Sequence, residues 1–195
     1  MAIISIGMNK AIFLDKDGTL IKDVPYNIRP EAIEFYPDTI DVLRSFKNAG
    51  FKLIVVSNQA GVALGYFEEE ALSELSKAIN RLLGKYKIQI DDFYYCPHHP
   101  EGKIKKYSKK CQCRKPEPGL FYKACNDHGI NVEDSWMIGD ILNDMEAGNS
   151  AGCRTVMVDV GNETEWVLNE KRRPDYIVKS LKEAKDMILF AESGR

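Results

Sequence analysis

Short apolar runs alternate with amphipathic stretches along this chain, the trace left in sequence by a parallel sheet with helices on its faces. The runs predict strands over 11–14, 53–56, 93–95, 136–138, 155–158 and 176–178. Between them Ile40, Leu43, Phe46 and Ala49 recur at helical spacing and stop at Gly50. Leu72, Leu75, Ile79, Leu82 and Leu83 mark a longer helix, and Leu120, Phe121, Ala124 and Cys125 another, closed by Gly129. No repeat, linker or shift in composition divides the chain, so 1–195 reads as one α/β domain. A polar stretch over 96–113 is inserted in it and lacks the apolar content to fold unaided.

In open α/β sheets ligands bind beyond the carboxyl ends of the strands. Asp15-Lys16-Asp17-Gly18-Thr19 follows the first predicted strand, Ser57-Asn58-Gln59 the second, and Gly139-Asp140, then Asp144, the fourth. Arg114-Lys115-Pro116 stands ahead of the third helix. Asp15 and Asp17 leave a strand into a glycine turn, where the side-chain alternation breaks and both carboxylates can point the same way. Left alone they would repel. A divalent cation removes that conflict, and hard oxygen donors with open positions suit Mg²⁺ shared with a substrate phosphate. The set points to phosphoryl transfer, which depends on positioning and charge neutralisation, with Asp15 as nucleophile.

Composition narrows the partners. The 27 basic and 29 acidic side chains leave a formal charge of −2, so no global field draws the chain to nucleic acid or an anionic membrane. The opening MAIISIGMNK has no basic leader followed by an apolar run, and no stretch is apolar enough for a membrane helix, which points to the cytoplasm. In that reducing compartment five cysteines are read as thiols and metal ligands rather than disulfides. Cys96-x-His98 and Cys111-x-Cys113 offer three thiolates and an imidazole, the closed tetrahedral shell of a structural Zn²⁺ site. His99 is an alternative to His98 at this point. Lys103, Lys105, Lys106, Lys109 and Lys110 offset the negative charge of such a shell, while Cys125 and Cys153 are expected as buried thiols. The match of Asn162-Glu163-Thr164 to a glycosylation acceptor carries no weight without a secretory route.

The runs FLDKDGTL, VVSNQ, RKPEPG and GDILND, in that order, resemble the four motifs of the haloacid dehalogenase superfamily of phosphatases. With CPHHPEG and CQC between the second and third, the chain is similar to a narrower group, the heptose-bisphosphate and histidinol-phosphate phosphatases, over about residues 10 to 158. The longer loop favours the heptose side of that group. The resemblance implies a Rossmann-like three-layer parallel sheet with no large cap and a zinc-stapled loop. It implies Asp15 as nucleophile, Asp17 as general acid/base, Ser57 and Lys115 as phosphoryl-stabilising groups, and Asp144 as the orienter of Lys115. Mg²⁺ ligands would come from Asp15, the main-chain carbonyl of Asp17, and Asp140. Zn²⁺ would sit on Cys96, His98, Cys111 and Cys113. A small phosphorylated sugar would be read by Asp23, Val24, Pro25, Tyr26, Asn58, Gln59, Ala60 and Arg114. The pattern departs at Ile141, where a heptose enzyme of this group has Lys, which bears on the sugar and leaves the phosphoryl chemistry intact. A monomer is expected, in which zinc positions Arg114 and Lys115 through Cys113.

Three other motif readings fail or rank lower. An EF-hand loop needs Gly where Leu20 stands. Gly148-Asn149-Ser150-Ala151-Gly152 matches a nucleophile elbow, but a helical stretch precedes it and a strand follows, the reverse of what that elbow requires. A non-catalytic zinc-loop module for nucleic acid would use the lysines, yet only Tyr107 among aromatics interleaves with them.

Overall fold

The computed structural model describes residues 8–194. Its centre is a parallel six-stranded sheet of β1 (Ala11–Leu14), β2 (Lys52–Asn58), β3 (Asp92–Cys96), β4 (Trp136–Gly139), β5 (Arg154–Val158) and β6 (Tyr176–Val178). The strand order is β3-β2-β1-β4-β5-β6, the doubly wound arrangement in which the winding reverses between β1 and β4. The helices are α1 (Thr39–Asn48), α2 (Gly61–Leu64), α3 (Glu70–Gly84), α4 (Gly119–His128), α5 (Leu142–Ala151) and α6 (Leu181–Ser193).

The pleat sorts the side chains into two cores. Ile12, Leu14, Leu53, Val55, Trp136 and Ile138 face one way and pack with Val42, Leu43 and Phe46 of α1, Leu75, Ile79 and Leu83 of α3, and Ile188 of α6. Their neighbours Ala11, Phe13, Ile54, Val56 and Met137 face the other way, onto Leu120, Phe121 and Ala124 of α4 and Met145 of α5. All four β1 residues are buried, as a central parallel strand covered on both faces requires. The result is the predicted three-layer α/β architecture.

Two boundaries differ from the sequence reading in ways that matter. β2 runs on through Ser57 and Asn58, and β3 through Cys96, because β2–β3 pairing continues to the register Asn58↔Cys96. Ser57 and Cys96 are therefore held by sheet hydrogen bonding rather than by loops. Cys153 is buried as expected, but Cys125 is only half-buried, since it lies toward the edge of the face that α4 presents to the core. Gly152 closes α5 in the left-handed region at φ +97, so Ser150 is a helix residue, not an elbow nucleophile. Among the described residues, the segment between β1 and α1 builds only the one-turn helix Pro30–Ala32, so no large cap covers the sheet edge.

Candidate active site

Asp15 leaves β1 beside the β1–β4 switch point, its amide donating to the Ile138 carbonyl at 3.0 Å. Lys115 crosses to it from the segment ahead of α4. Its ammonium lies 2.7 Å from Asp15 Oδ1, 2.7 Å from Asp144 Oδ1 and 2.9 Å from the Val56 carbonyl, so all three protons have acceptors at a side chain only 2% exposed. Burial opposes that charge, but Asp144 and Asp15 outweigh it and hold the ammonium pKa above its ordinary value.

The backbone of Lys115 is fixed separately. Asn58, last residue of β2, donates from Nδ2 to the Lys115 carbonyl and accepts the Lys115 amide on Oδ1, both at 3.0 Å. The predicted substrate-reading amide of Asn58 is thus engaged by the main chain that carries Lys115.

Asp15, Asp140 and Asp144 place carboxylate oxygens within 4.8 Å of one another, all buried. Burial first, then repulsion from Asp15 and Asp144, raises the Asp140 pKa; burial and Asp15 likewise raise that of Asp144 despite Lys115. One ammonium does not neutralise three buried carboxylates, and a divalent cation on Asp15 and Asp140 removes the excess. This donor set fits Mg²⁺. Asp144, which the resemblance assigned to Lys115, also accepts the amides of Asp140 and Ile141 on Oδ2 at 3.3 and 3.4 Å.

The turn after β1 is shaped around Asp140. Gly18 lies at φ +80, and a Cβ there would come within 2.1 Å of Asp140 Oδ2. Thr19 Oγ1 donates to Asp140 Oδ1 at 3.1 Å and Asn162 Nδ2 to Oδ2 at 2.7 Å. The Asp17 carboxylate points elsewhere, receiving Lys16 Nζ at 2.8 Å and Gln59 Nε2 at 3.1 Å. Burial raises its pKa, with Lys16 opposing and Asp15 adding to the rise. Gln59 also donates to Ser57 Oγ at 2.8 Å, linking the Ser57 hydroxyl to Asp17.

Asp23, Pro25, Tyr26, Asn58, Gln59 and Ala60 line one cleft of about 250 Å³ with Asp17 in its wall. Asn27 and Gly61 complete the lining. Val24 is exposed outside it. Tyr26 sits at φ +55, and its ring meets Tyr66 edge-on with centroids 4.6 Å apart. Arg114 lies elsewhere, lining a separate depression of about 310 Å³ with Lys110, Glu117 and Asn143, its guanidinium donating to the His98 carbonyl at 3.3 Å. Ile141 stands at the N-terminus of α5 and offers no polar group.

In the loop after β3, Cys96, Cys111 and Cys113 Sγ lie 3.2–3.5 Å apart, and His98 Nδ1 lies 3.6 Å from Cys96 Sγ and 3.3 Å from Cys113 Sγ. These separations are far beyond a disulfide bond, and close to the edges of a tetrahedron with metal–ligand bonds of about 2.0–2.3 Å. Burial, then Lys109, lowers the His98 pKa toward the neutral imidazole that ligation needs. His99 is outside the cluster, its Nδ1 accepting the Glu101 amide. The loop tip rests on α2, where Lys103 and Ile104 amides both donate to the Ala63 carbonyl at 2.7 and 2.9 Å.

Sequence reading missed Lys16, Asn27, Thr19, Tyr66, Asn162 and Glu163 as neighbours of these groups. Lys16, flanked by the two motif carboxylates, carried a usable signal; Asn162 and Glu163 reach the site only through a loop whose path no pattern reveals.

A doubly wound sheet with buried carboxylates and a lysine at its switch point defines a phosphoryl-transfer site. Residues 112–184 match the HAD-hydrolase-like family model, and the chain belongs to the haloacid dehalogenase-like phosphatases. It is 40% identical over 168 residues to D-glycero-beta-D-manno-heptose-1,7-bisphosphate 7-phosphatase of Escherichia coli O6:H1, covering 82% of this chain and 88% of that one. The protein of that name from Pasteurella multocida is 38% identical over 183 residues, covering 93% and 97%. Among solved structures, the D,D-heptose 1.7-bisphosphate phosphatase of B. bronchiseptica complexed with magnesium and phosphate superposes with a TM-score of 0.79 at 25% identity, covering 93% of this chain and 99% of that one. A HAD-like phosphatase of Mesorhizobium loti gives 0.82 at 28%, covering 95% and 87%.

Proposed function

We propose that this chain is a Mg²⁺-dependent phosphatase that removes the 7-phosphate of D-glycero-β-D-manno-heptose 1,7-bisphosphate. It acts as a cytoplasmic monomer, with neither nucleic acid nor membrane as partner. The observation that carries the reading is the convergence of Asp15 and Asp144 on the Lys115 ammonium, with an Asp140 oxygen within 4.8 Å of theirs, beside a cleft lined by Asp17 and Tyr26. The names of the curated relatives supply the substrate and its anomer. Among the described residues no helix is long and apolar enough to cross a membrane.

Asp15 attacks phosphorus in line, forming an aspartyl phosphate as the bond to the sugar oxygen breaks. Asp17 gives that oxygen its proton; the raised pKa keeps the proton available for this step. The Asp17 carboxylate then takes a proton from water, whose oxygen attacks phosphorus and releases Asp15 and inorganic phosphate. Ser57 and Lys115 donate to the phosphoryl oxygens, and Asp144 orients Lys115. Mg²⁺, held by Asp15, the Asp17 main-chain carbonyl and Asp140, supplies neutralisation of the phosphoryl charge. Zn²⁺ on Cys96, His98, Cys111 and Cys113 supplies a closed structural shell that holds the segment leading into Arg114 and Lys115. Asp23, Pro25, Tyr26, Gln59 and Ala60 line the cleft that takes the sugar, with Asn58 acting through Lys115, whereas Val24 and Arg114 stand outside that cleft.

Phosphate release from the α and β heptose 1,7-bisphosphates and from histidinol phosphate tests this. The β heptose substrate is expected to turn over fastest and to retain its 1-phosphate, with Asp15→Asn at background. Faster turnover of histidinol phosphate would replace the substrate, and salt-sensitive oligonucleotide binding without hydrolysis of any ester would replace the whole reading.

A further inference from the structure

We propose that Asn162 and Glu163 form a clamp, brought by the β5–β6 loop, that positions Asp140 for its cation. The inference rests on the reading of Asp140 as a Mg²⁺ ligand. Asn162 is an exposed loop residue, yet its amide turns inward and donates to Asp140 Oδ2 at 2.7 Å. The next residue closes a second contact, Glu163 Oε2 accepting the Leu142 amide at 2.7 Å. Leu142 is the first residue of α5, whose preceding residue Ile141 supplies no side-chain cap. Two successive side chains are therefore fastened to the two ends of one short turn, the metal-side carboxylate and the start of the following helix. The base of the loop is tied as well, with the Gly161 amide on Asp159 Oδ1 at 3.3 Å and Lys179 Nζ on Asp159 Oδ2 at 2.6 Å.

The chemistry of the donors fits this role. A carboxylate that ligates through one lone pair is oriented by hydrogen bonds to the others. With Thr19 on Oδ1 and Asn162 on Oδ2, the Asp140 plane is fixed from both sides. Asn162 does this as a neutral dipole, so it orients the carboxylate without cancelling the negative charge that a cation needs. Glu163 places its charge at a helix N-terminus, where free amides and the helix dipole favour it. That anchor keeps Asn162 within reach.

The test is binding of Mn²⁺, a stand-in accepted by carboxylate sites, followed by electron paramagnetic resonance on the zinc-loaded full chain without substrate. Parent protein is expected to bind and Asp140→Asn to lose binding. Asn162→Leu is expected to weaken binding by about 10-fold. Glu163→Ala is expected to weaken it in the same direction, and Glu163→Gln, which keeps an acceptor for the Leu142 amide, to restore parental affinity. Melting of the zinc-loaded chain without added Mn²⁺ reports folding independently. A clamp that served only the fold would lower the melting temperature of Asn162→Leu and Glu163→Ala while leaving Mn²⁺ affinity unchanged, and that result overturns the proposal. Should Asn162→Leu fail to fold, the Glu163→Ala and Glu163→Gln pair decides by the same comparison. Failure of the parent to bind Mn²⁺ would overturn the Mg²⁺ reading and the clamp with it, whereas loss confined to Asp140→Asn would sink the clamp alone.

Discussion

Asn58 offers the sharpest separation between two roles for one side chain. Its amide makes two hydrogen bonds to the main chain of Lys115, each 3.0 Å, at the point where the Cys/His loop passes into the site. Replacing it with Ala deletes both bonds and strands an amide and a carbonyl on a residue that is 2% exposed. At about 1 kcal/mol per lost bond the change costs about 2 kcal/mol. For a chain of this size, 1 kcal/mol corresponds to about 2–4 °C, so the melting temperature falls by about 4–8 °C. Lys115 loses its fixed position as well, and a misplacement of about 1 Å at a reacting centre can cost about 100-fold in rate. Steady-state kinetics with heptose bisphosphate, beside a thermal melt, should show kcat falling steeply, KM moving little, and stability dropping. A pure substrate-reading role predicts the opposite, a raised KM with parental kcat and melting temperature. That outcome would refute the argument from the Lys115 clamp.

Other substitutions probe different links. Gly18→Ala places a Cβ into Asp140 and forces a left-handed backbone on alanine, so phosphatase activity should be lost, and near-parental turnover would contradict the packing of that turn. Chelation of zinc, or Cys113→Ser, should lower activity in a way that excess Mg²⁺ does not restore; normal hydrolysis by zinc-free, Mg²⁺-supplied protein would uncouple the loop from Lys115. Glu192 anchors α6 through Lys10 at 3.0 Å and Trp136 Nε1 at 3.3 Å, together with Arg154. Burial opposes its charge, but Arg154, Lys10 and Trp136 outweigh burial and hold its pKa below the ordinary value. A depressed carboxylate stabilises the fold above its unfolded pKa and loses that contribution as pH falls through the folded one. Glu192→Gln should therefore lower the melting temperature by about 2–4 °C at neutral pH, for a contribution of about 1 kcal/mol. The difference from the parent should vanish in acid, and a gap that persists there would contradict the assignment.

The sheet was legible because all six strands are short apolar runs with turn residues behind them, and β1 is apolar at every position, as a strand covered on both faces must be. Asp15, Asp140 and Lys115 could be picked out because each stands beside such a run or a motif glycine or proline. Asn58 was read only in part: sequence placed it just past a strand, where it is free to read substrate, and gave no sign of its bonds to the Lys115 main chain. Pairing with β3 extends β2 through it and aims its amide at Lys115. Asn162 was legible only as a modification motif, since its meeting with Asp140 depends on a loop 22 residues downstream that follows no period. Arg114 sat next to Lys115 in sequence, yet within the turn that carries both its guanidinium goes to the His98 carbonyl, and it lines a depression separate from the cleft of Asp17 and Tyr26. Pattern thus locates groups that stand beside a strand run or within a compact motif, and fails for partners that only the folded path of the chain brings together.

The most direct test of the account is acid quenching of the enzyme during turnover of heptose bisphosphate carrying a labelled 7-phosphate, with the labelled site mapped by peptide mass. The account predicts transient label on Asp15 in the parent and none in Asp15→Asn. An unlabelled parent under active turnover, or label on another residue, would contradict it.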